Sequence, residues 1–181
     1  MNTISMHILD IVQNSIRAKA TLIEISIHEN RVKNYIEIVI KDNGEGMDTE
    51  LLNHVTDPYT TTRTTRKVGM GIPLLKHSAG QANGYLKIYS EKGVETSVQV
   101  TFQYDHIDRP PLGDISGTIV LLVAANPDID FKYIHEVNDN KYEFNTCEVK
   151  GILENVRIND PKIRGMLKEM INENLSELYV I

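Results

Sequence analysis

One cysteine, Cys147, stands among 181 residues. A single thiol allows neither a disulfide framework nor a four-cysteine zinc site. No apolar run approaches the roughly 18 residues that a membrane-spanning helix needs. Positive charge is not in excess either. Lys and Arg number 19 against 25 Asp and Glu, for a formal net charge of −6. That balance argues against a general binder of nucleic acid or of membrane surfaces. The first residues, MNTISMHILDIVQNS, lack a basic stretch and already carry Asp10, so a signal peptide is not expected. Familiar catalytic sequences are missing as well. There is no G-x-x-x-x-G-K-[ST] phosphate loop, no H-E-x-x-H metal helix and no G-x-S-x-G nucleophile turn. The six histidines are scattered without metal-ligand spacing, and no internal repeat or low-complexity segment occurs.

What remains is ordinary globular material, 41% hydrophobic and 24% charged. One domain, or one domain with a small extension, in a soluble cytoplasmic protein is the expectation. A first helix is expected over Ser5 to Ala18, with Ile4, Ile8, Ile11, Val12 and Ile16 on its apolar side. His7, Asp10, Asn14 and Arg17 share its other face. Two alternating strands follow, carrying Ile23, Ile25, Ile27 and then Ile36, Ile38, Ile40, each with one covered face. The loop DNGEGM comes next, then a short helix near Thr49 to Val55. Residues Asp57 to Val68 read as a Thr- and Arg-rich surface loop. Gly69, Gly71 and Pro73 open a second helix, Ile72 to Gln81. Strands are expected near Tyr85 to Ser90 and Thr96 to Gln103, joined by the turn EKGVE. Asp105 to Asp114, with two adjacent prolines, is the best boundary. Beyond it, Thr118 to Ala124 reads as an apolar strand, and a further strand is expected near Phe131 to Glu136. Asp160-Pro161 starts a last amphipathic helix.

Three elements carry chemistry when taken together. They are the helical face Asp10, Asn14, Arg17, the loop DNGEGM after a strand, and a Thr/Arg-rich loop ending in VGMGIP at a helix start. A carboxylate after a strand, Asp42, can accept from an adenine amino group. Glycines let backbone approach a flat base. A glycine-opened helix N-terminus offers free N–H groups to phosphate. The amide oxygen of Asn14 suits Mg²⁺. Arg17, Arg63, Arg66 and Lys67 can neutralise phosphate charge. Asp10 can orient or deprotonate an attacking water or hydroxyl.

The order D-x-x-x-N, DNGEGM, TTR…VGMGIPLLK resembles the N, G1 and G2 boxes of the GHKL superfamily with its Bergerat fold, from about His7 to Phe102. DPYTTTR is similar to a lid segment of histidine kinases, and GMGIPLLK to the mitochondrial dehydrogenase kinases. NGYLKIYSEKGVETSVQVTF resembles the closing strand pair of a histidine-kinase catalytic domain. The resemblance implies a two-layer α/β (α+β) sandwich. Its sheet would be mixed and mostly antiparallel with helices on one face, over residues 1–104. Residues 105–181 would form a small α/β extension. It also implies roles by position. Asn14 would ligate Mg²⁺, and Asp42 would read adenine with support from Thr96. Gly44, Gly46 and Met47 would shape the base pocket, and Gly69, Met70 and Gly71 would meet phosphates. Thr60 to Lys67, including Thr61 and Thr62, would form the ATP lid, and His7 a wall of the site. Two departures stand out. Asp10 occurs where ATPases of the superfamily carry the longer glutamate, and a misplacement of about 1 Å can cost on the order of a hundredfold in rate. Lys67 replaces the first glycine of the G2 box.

Three functions are compatible with such a site. The first is a stand-alone protein kinase module that transfers phosphoryl to a separate protein partner. It would resemble histidine kinases or anti-sigma-factor kinases, and no phosphoacceptor hairpin of its own is expected. The second is an ATPase switch with ATP-gated dimerisation or partner docking. The third is a non-catalytic ATP-binding regulatory module.

Overall fold

Isoleucine at every second position makes the middle of a sheet, because successive side chains of a strand point to opposite faces. The computed structural model describes residues 3–57 and 70–180. In it, β1 (Leu22–Asn30) and β2 (Tyr35–Asp42) pair antiparallel, with Ile25 opposite Ile40 and Ile27 opposite Ile38. The hairpin β3 (Leu86–Glu91) and β4 (Glu95–Gln103) continues the sheet beyond β2, and Asp42 lies directly across from Thr96. On the other side, β5 (Asp130–Val137) pairs parallel with β1, and β6 (Asn140–Asn145) closes that edge antiparallel. The six strands run in the order β3-β4-β2-β1-β5-β6. The sheet is mixed and mostly antiparallel, as expected, and it continues without a break past residue 104.

One face is covered. Ile23, Ile25, Ile27, Ile36, Ile38, Ile40, Val98, Val100 and Phe102 point into a core shared with the helices. These include α1 (Ile4–Arg17), α3 (Gly71–Gln81), α4 (Ile115–Ala125) and α6 (Pro161–Leu178), while α2 (Thr49–His54) is a short surface turn after β2. Thr3 caps α1 by accepting from the Met6 N–H, and the carbonyls of Pro111 and Leu112 accept from the Ile4 and Ser5 N–H groups at 2.8 and 2.9 Å. The proline-rich segment is thus fastened onto the start of α1.

The expected strand at Thr118 to Ala124 is instead the middle of α4. Asp114 starts that helix, its carboxylate accepting from the Gly117 N–H at 2.8 Å. Ile115, Ile119, Val120, Leu122 and Val123 are all buried, so the helix has no wide polar face to give it a readable period. Two elements were not expected, β6 and α5 (Thr146–Leu153).

The covered face also holds charge. Glu29 and His135 are 2% and 1% exposed. The Glu29 carboxylate accepts from His135 Nε2 at 2.7 Å and, at close range, from the Tyr179 hydroxyl. His135 Nδ1 bonds the Tyr133 hydroxyl at 2.7 Å. The Arg31 guanidinium lies over the Tyr179 ring, 5.0 Å from its centroid. The end of α6 is therefore tied to β1 and β5 by a buried polar network, which a buried carboxylate requires.

Candidate functional site

α1 is the common wall of the site, because it reaches both other elements that the sequence singled out. Toward its C-terminal end, Ser15 is buried and donates its hydroxyl to Asp42 Oδ2 at 2.6 Å. Asp42 is itself only 5% exposed, and its Oδ1 accepts from the Gly44 N–H at 2.9 Å. Among the described residues, each carboxylate oxygen has one donor and keeps a further lone pair. The charge is thus held in place without being fully satisfied, which is the condition for reading a hydrogen-bond donor on a ligand. Ser15 escaped the sequence reading because it lies beside the polar face of α1. Its signal was a hydroxyl at a helix position next to the buried stripe, which needs a partner.

The two glycines of DNGEGM are required by the protein itself. A Cβ on Gly44 would stand 2.7 Å from the Ala18 carbonyl oxygen and 2.9 Å from the Ala18 methyl. Gly46 has φ +63°, and a Cβ there would stand 2.2 Å from the Glu91 carbonyl oxygen. The loop is pressed between the end of α1 and the β3–β4 turn. Hydrogen bonds hold it there: Glu45 N–H to Ala18 O at 2.8 Å, Gly93 N–H to Glu45 O at 2.7 Å, and Met47 N–H to Ser90 Oγ at 2.8 Å. The Thr96 hydroxyl, expected to support Asp42, shares a 2.8 Å hydrogen bond with Ser90 Oγ. Asn43 makes no tight hairpin. Its side-chain oxygen accepts from the Thr21 and Leu22 N–H groups and pins the loop to the start of β1.

Nearer its middle, α1 meets α3. A Cβ on Gly71 would stand 3.3 Å from Asp10 Oδ2 and 3.2 Å from Asp10 Cβ, so the acid lies against the first residue of α3. Met70, at the N-cap position, is half exposed and gives no side-chain cap. Asn14 and Arg17 are exposed, and the Arg17 guanidinium donates to Asn14 Oδ1 at 3.1 Å. Thr61, Thr62, Arg63, Arg66, Lys67 and Gly69 lie outside the described residues.

His7 does not share the exposure of Asn14. It is 2% exposed, faces a small cavity lined by Ile4, Ile8, Leu75 and Val98, and comes within 3.4 Å of Ser78 Oγ through Nε2. Burial lowers the imidazole pKa below its ordinary value, while Asp10 opposes it. Among the described residues, no group of three or more His, Cys, Asp or Glu side chains is placed to hold a metal, and no helix is long and apolar enough to cross a membrane.

Residues 2–106 match the family described as histidine kinase-, DNA gyrase B-, and HSP90-like ATPase. The chain is 26% identical over 98 residues to the sensor histidine kinase YvrG of Bacillus subtilis (strain 168), a stretch covering 52% of this chain and 17% of that protein. It is 28% identical over 99 residues to sporulation kinase C of the same organism, covering 55% of this chain and 23% of the kinase. The matched stretch is thus under a quarter of either kinase. Among solved structures, the Aquifex aeolicus MutL ATPase domain complexed with ADP shares the fold at a TM-score of 0.53 and 17% identity. That likeness covers 94% of this chain and 70% of the other.

Proposed function

Because the chain belongs to the histidine kinase-, DNA gyrase B-, and HSP90-like ATPase family, we propose that it binds Mg-ATP beside α1 and transfers the γ-phosphoryl group to a separate protein partner. The observation that carries the ATP reading is Asp42. It is a buried carboxylate oriented by Ser15 and the Gly44 N–H, with lone pairs left for an adenine amino group. The start of α3 offers the first-turn N–H groups of Gly71 and Ile72 to phosphate, while Pro73 has none. The exposed amide of Asn14 fits Mg²⁺, a hard ion that takes one or two protein oxygens and completes its shell with water and phosphate. Bound there, the ion would neutralise charge on the phosphates.

In the transfer, the bond between the γ-phosphorus and the ADP oxygen breaks as a bond to the partner's nucleophile forms, and ADP leaves. Asp10, which lies beside Gly71, would take the nucleophile's proton. The same position favours a second reading. If water takes the nucleophile's place, phosphate is released and the chain is an ATPase switch.

The test is γ-labelled ATP with the pure protein, with and without cell extract. Label on a second protein supports transfer, whereas free phosphate alone supports hydrolysis. Asp42→Asn should weaken ATP binding by about tenfold or more, since the amide has one accepting oxygen and puts a donor NH₂ where the second was. Ser15→Ala, which frees the carboxylate to turn, should weaken it about three- to tenfold, one ordinary hydrogen bond's worth. Unchanged affinity in Asp42→Asn would remove the site assignment.

A further inference from the structure

The end of the sheet opposite Asp42 gathers positive charge without an acid to meet it. Arg31 follows β1 at the turn into β2, about 25 Å along the strands from the DNGEGM loop. Its guanidinium lies over two rings, with Cζ 5.6 Å from the centroid of Tyr104 and 5.0 Å from that of Tyr179. The Arg109 guanidinium lies over the same Tyr104 ring at 5.2 Å. Two cations therefore meet at one aromatic side chain, in a chain whose net charge is −6. We propose that Arg31 and Arg109 form a second anion site, distinct from the nucleotide pocket, that takes a phosphate group.

The backbone N–H of Arg31 is satisfied by Asn138 Oδ1 at 3.0 Å, but its guanidinium donates to no described residue, and its buried Nε has no partner. A buried donor without an acceptor is rare in a folded chain. Among the described residues, no carboxylate comes within ion-pair distance of either guanidinium. The acids of the neighbourhood are engaged elsewhere. Glu29 accepts from His135 and Tyr179, Asp105 accepts from Asn34 and Gln103, and Asp108 lies beside His106. Arg109 is held by its own segment. Its Nε donates to the Tyr104 carbonyl at 2.6 Å and one terminal nitrogen to the Pro110 carbonyl at 3.2 Å, which leaves the other terminal nitrogen for a ligand. Neither guanidinium can shed its proton, so the two like charges repel until an anion enters. A phosphate group answers both charges, and its oxygens suit N–H donors arriving from two sides.

The site does not rest on the ATP reading, and the experiment keeps the two apart. Inorganic phosphate and O-phosphoserine are titrated into isotope-labelled protein at constant ionic strength, with chloride as the control anion. NMR follows the arginine Nε–H signals. Those of Arg31 and Arg109 should move together and saturate with phosphate, and chloride should leave them in place. Tighter binding of phosphoserine assigns the site to phosphate esters, and tighter binding of inorganic phosphate assigns it to the free ion. Arg109→Met should weaken binding roughly tenfold, the loss of one hydrogen bond between charged groups, while its ATP affinity stays at the wild-type value. Arg31 is packed between two rings and its replacement can disturb the fold, so Arg109→Met is the deciding variant. The second site is refuted if phosphate moves neither signal, or if it moves only backbone signals around Gly71. It is also refuted if Arg109→Met binds phosphate as tightly as the wild type, or loses ATP affinity in step, which marks a structural loss. Failure of the wild type to bind ATP would remove the nucleotide site and leave this one standing.

Discussion

Tyr179→Phe removes one oxygen atom and isolates the network that ties the end of α6 to the sheet. The ring stays, with its edge contact to His135 at 6.3 Å and the Arg31 guanidinium over its face. The loss is one hydroxyl donated to a carboxylate that is 2% exposed. A hydrogen bond to a charged group is worth about 1.5–3 kcal/mol, and the upper part applies when the acceptor is left short of donors in a buried place. For a domain of this size each kcal/mol shifts the melting temperature by about 2–4 °C, so a fall of roughly 3–12 °C is expected by scanning calorimetry. Tyr89→Phe is the control. Its hydroxyl meets Glu91 at 3.1 Å on an exposed strand, and no measurable shift is expected. If Tyr179→Phe melts within about a degree of the wild type, the hydroxyl is not holding Glu29, and the reasoning about the buried network fails.

Gly46 and Gly93 both have positive φ, but only Gly46 is crowded, and nothing lies within 4 Å of a Cβ on Gly93. Gly46→Ala should therefore cost about 1–3 kcal/mol more than Gly93→Ala in urea unfolding, the usual price of overpacking, and equal costs would show that the loop yields freely. Stability should also fall at both ends of the pH scale. Burial pushes the Glu29 carboxyl up, but hydrogen bonds from His135 and Tyr179 and the charges of His135 and Arg31 outweigh it and hold its pKa below the ordinary 4.5. A lowered carboxyl contributes stability above its unfolded pKa and loses it as the folded group takes its proton. Tyr179 is raised above 10.0 by burial first and then by Glu29, so its contribution is full below pH 10 and lost as pH rises further. Urea midpoints across pH should show both limbs, with the alkaline one shallower in Tyr179→Phe.

Local patterns were readable where one face of an element is wet. β1, β2 and β4 alternate, α1 has a stripe, and Asp160 with Pro161 marks the start of α6. α4 is buried on several sides, and a short apolar run of that kind has no period to distinguish helix from strand. Its overlooked signal was the cap, Asp114 three residues before Gly117, together with a length of 11 residues. At the site, the spacing of Asp10, Asn14 and Asp42 pointed to one ligand, but Ser15 reaches Asp42 across 27 positions of sequence. The reason for the two loop glycines lies in Ala18 and Glu91, which only the fold brings near. Glu29 and His135 are 106 positions apart and share no local pattern at all.

The parallel pairing of β1 with β5 also sets an order of events. Leu22 meets Asp130, and Glu29 meets Val137. A strand near the start of the chain thus waits for partners more than a hundred residues later, and closing such a loop slows folding. During synthesis, β1 and β2 can pair early, and β4 can join them. Until residues 130–137 emerge, however, β1 is an open edge lined with Ile23, Ile25 and Ile27. An apolar edge of that kind recruits other strands. The second half of the chain therefore protects the first half from self-association while the molecule is being made.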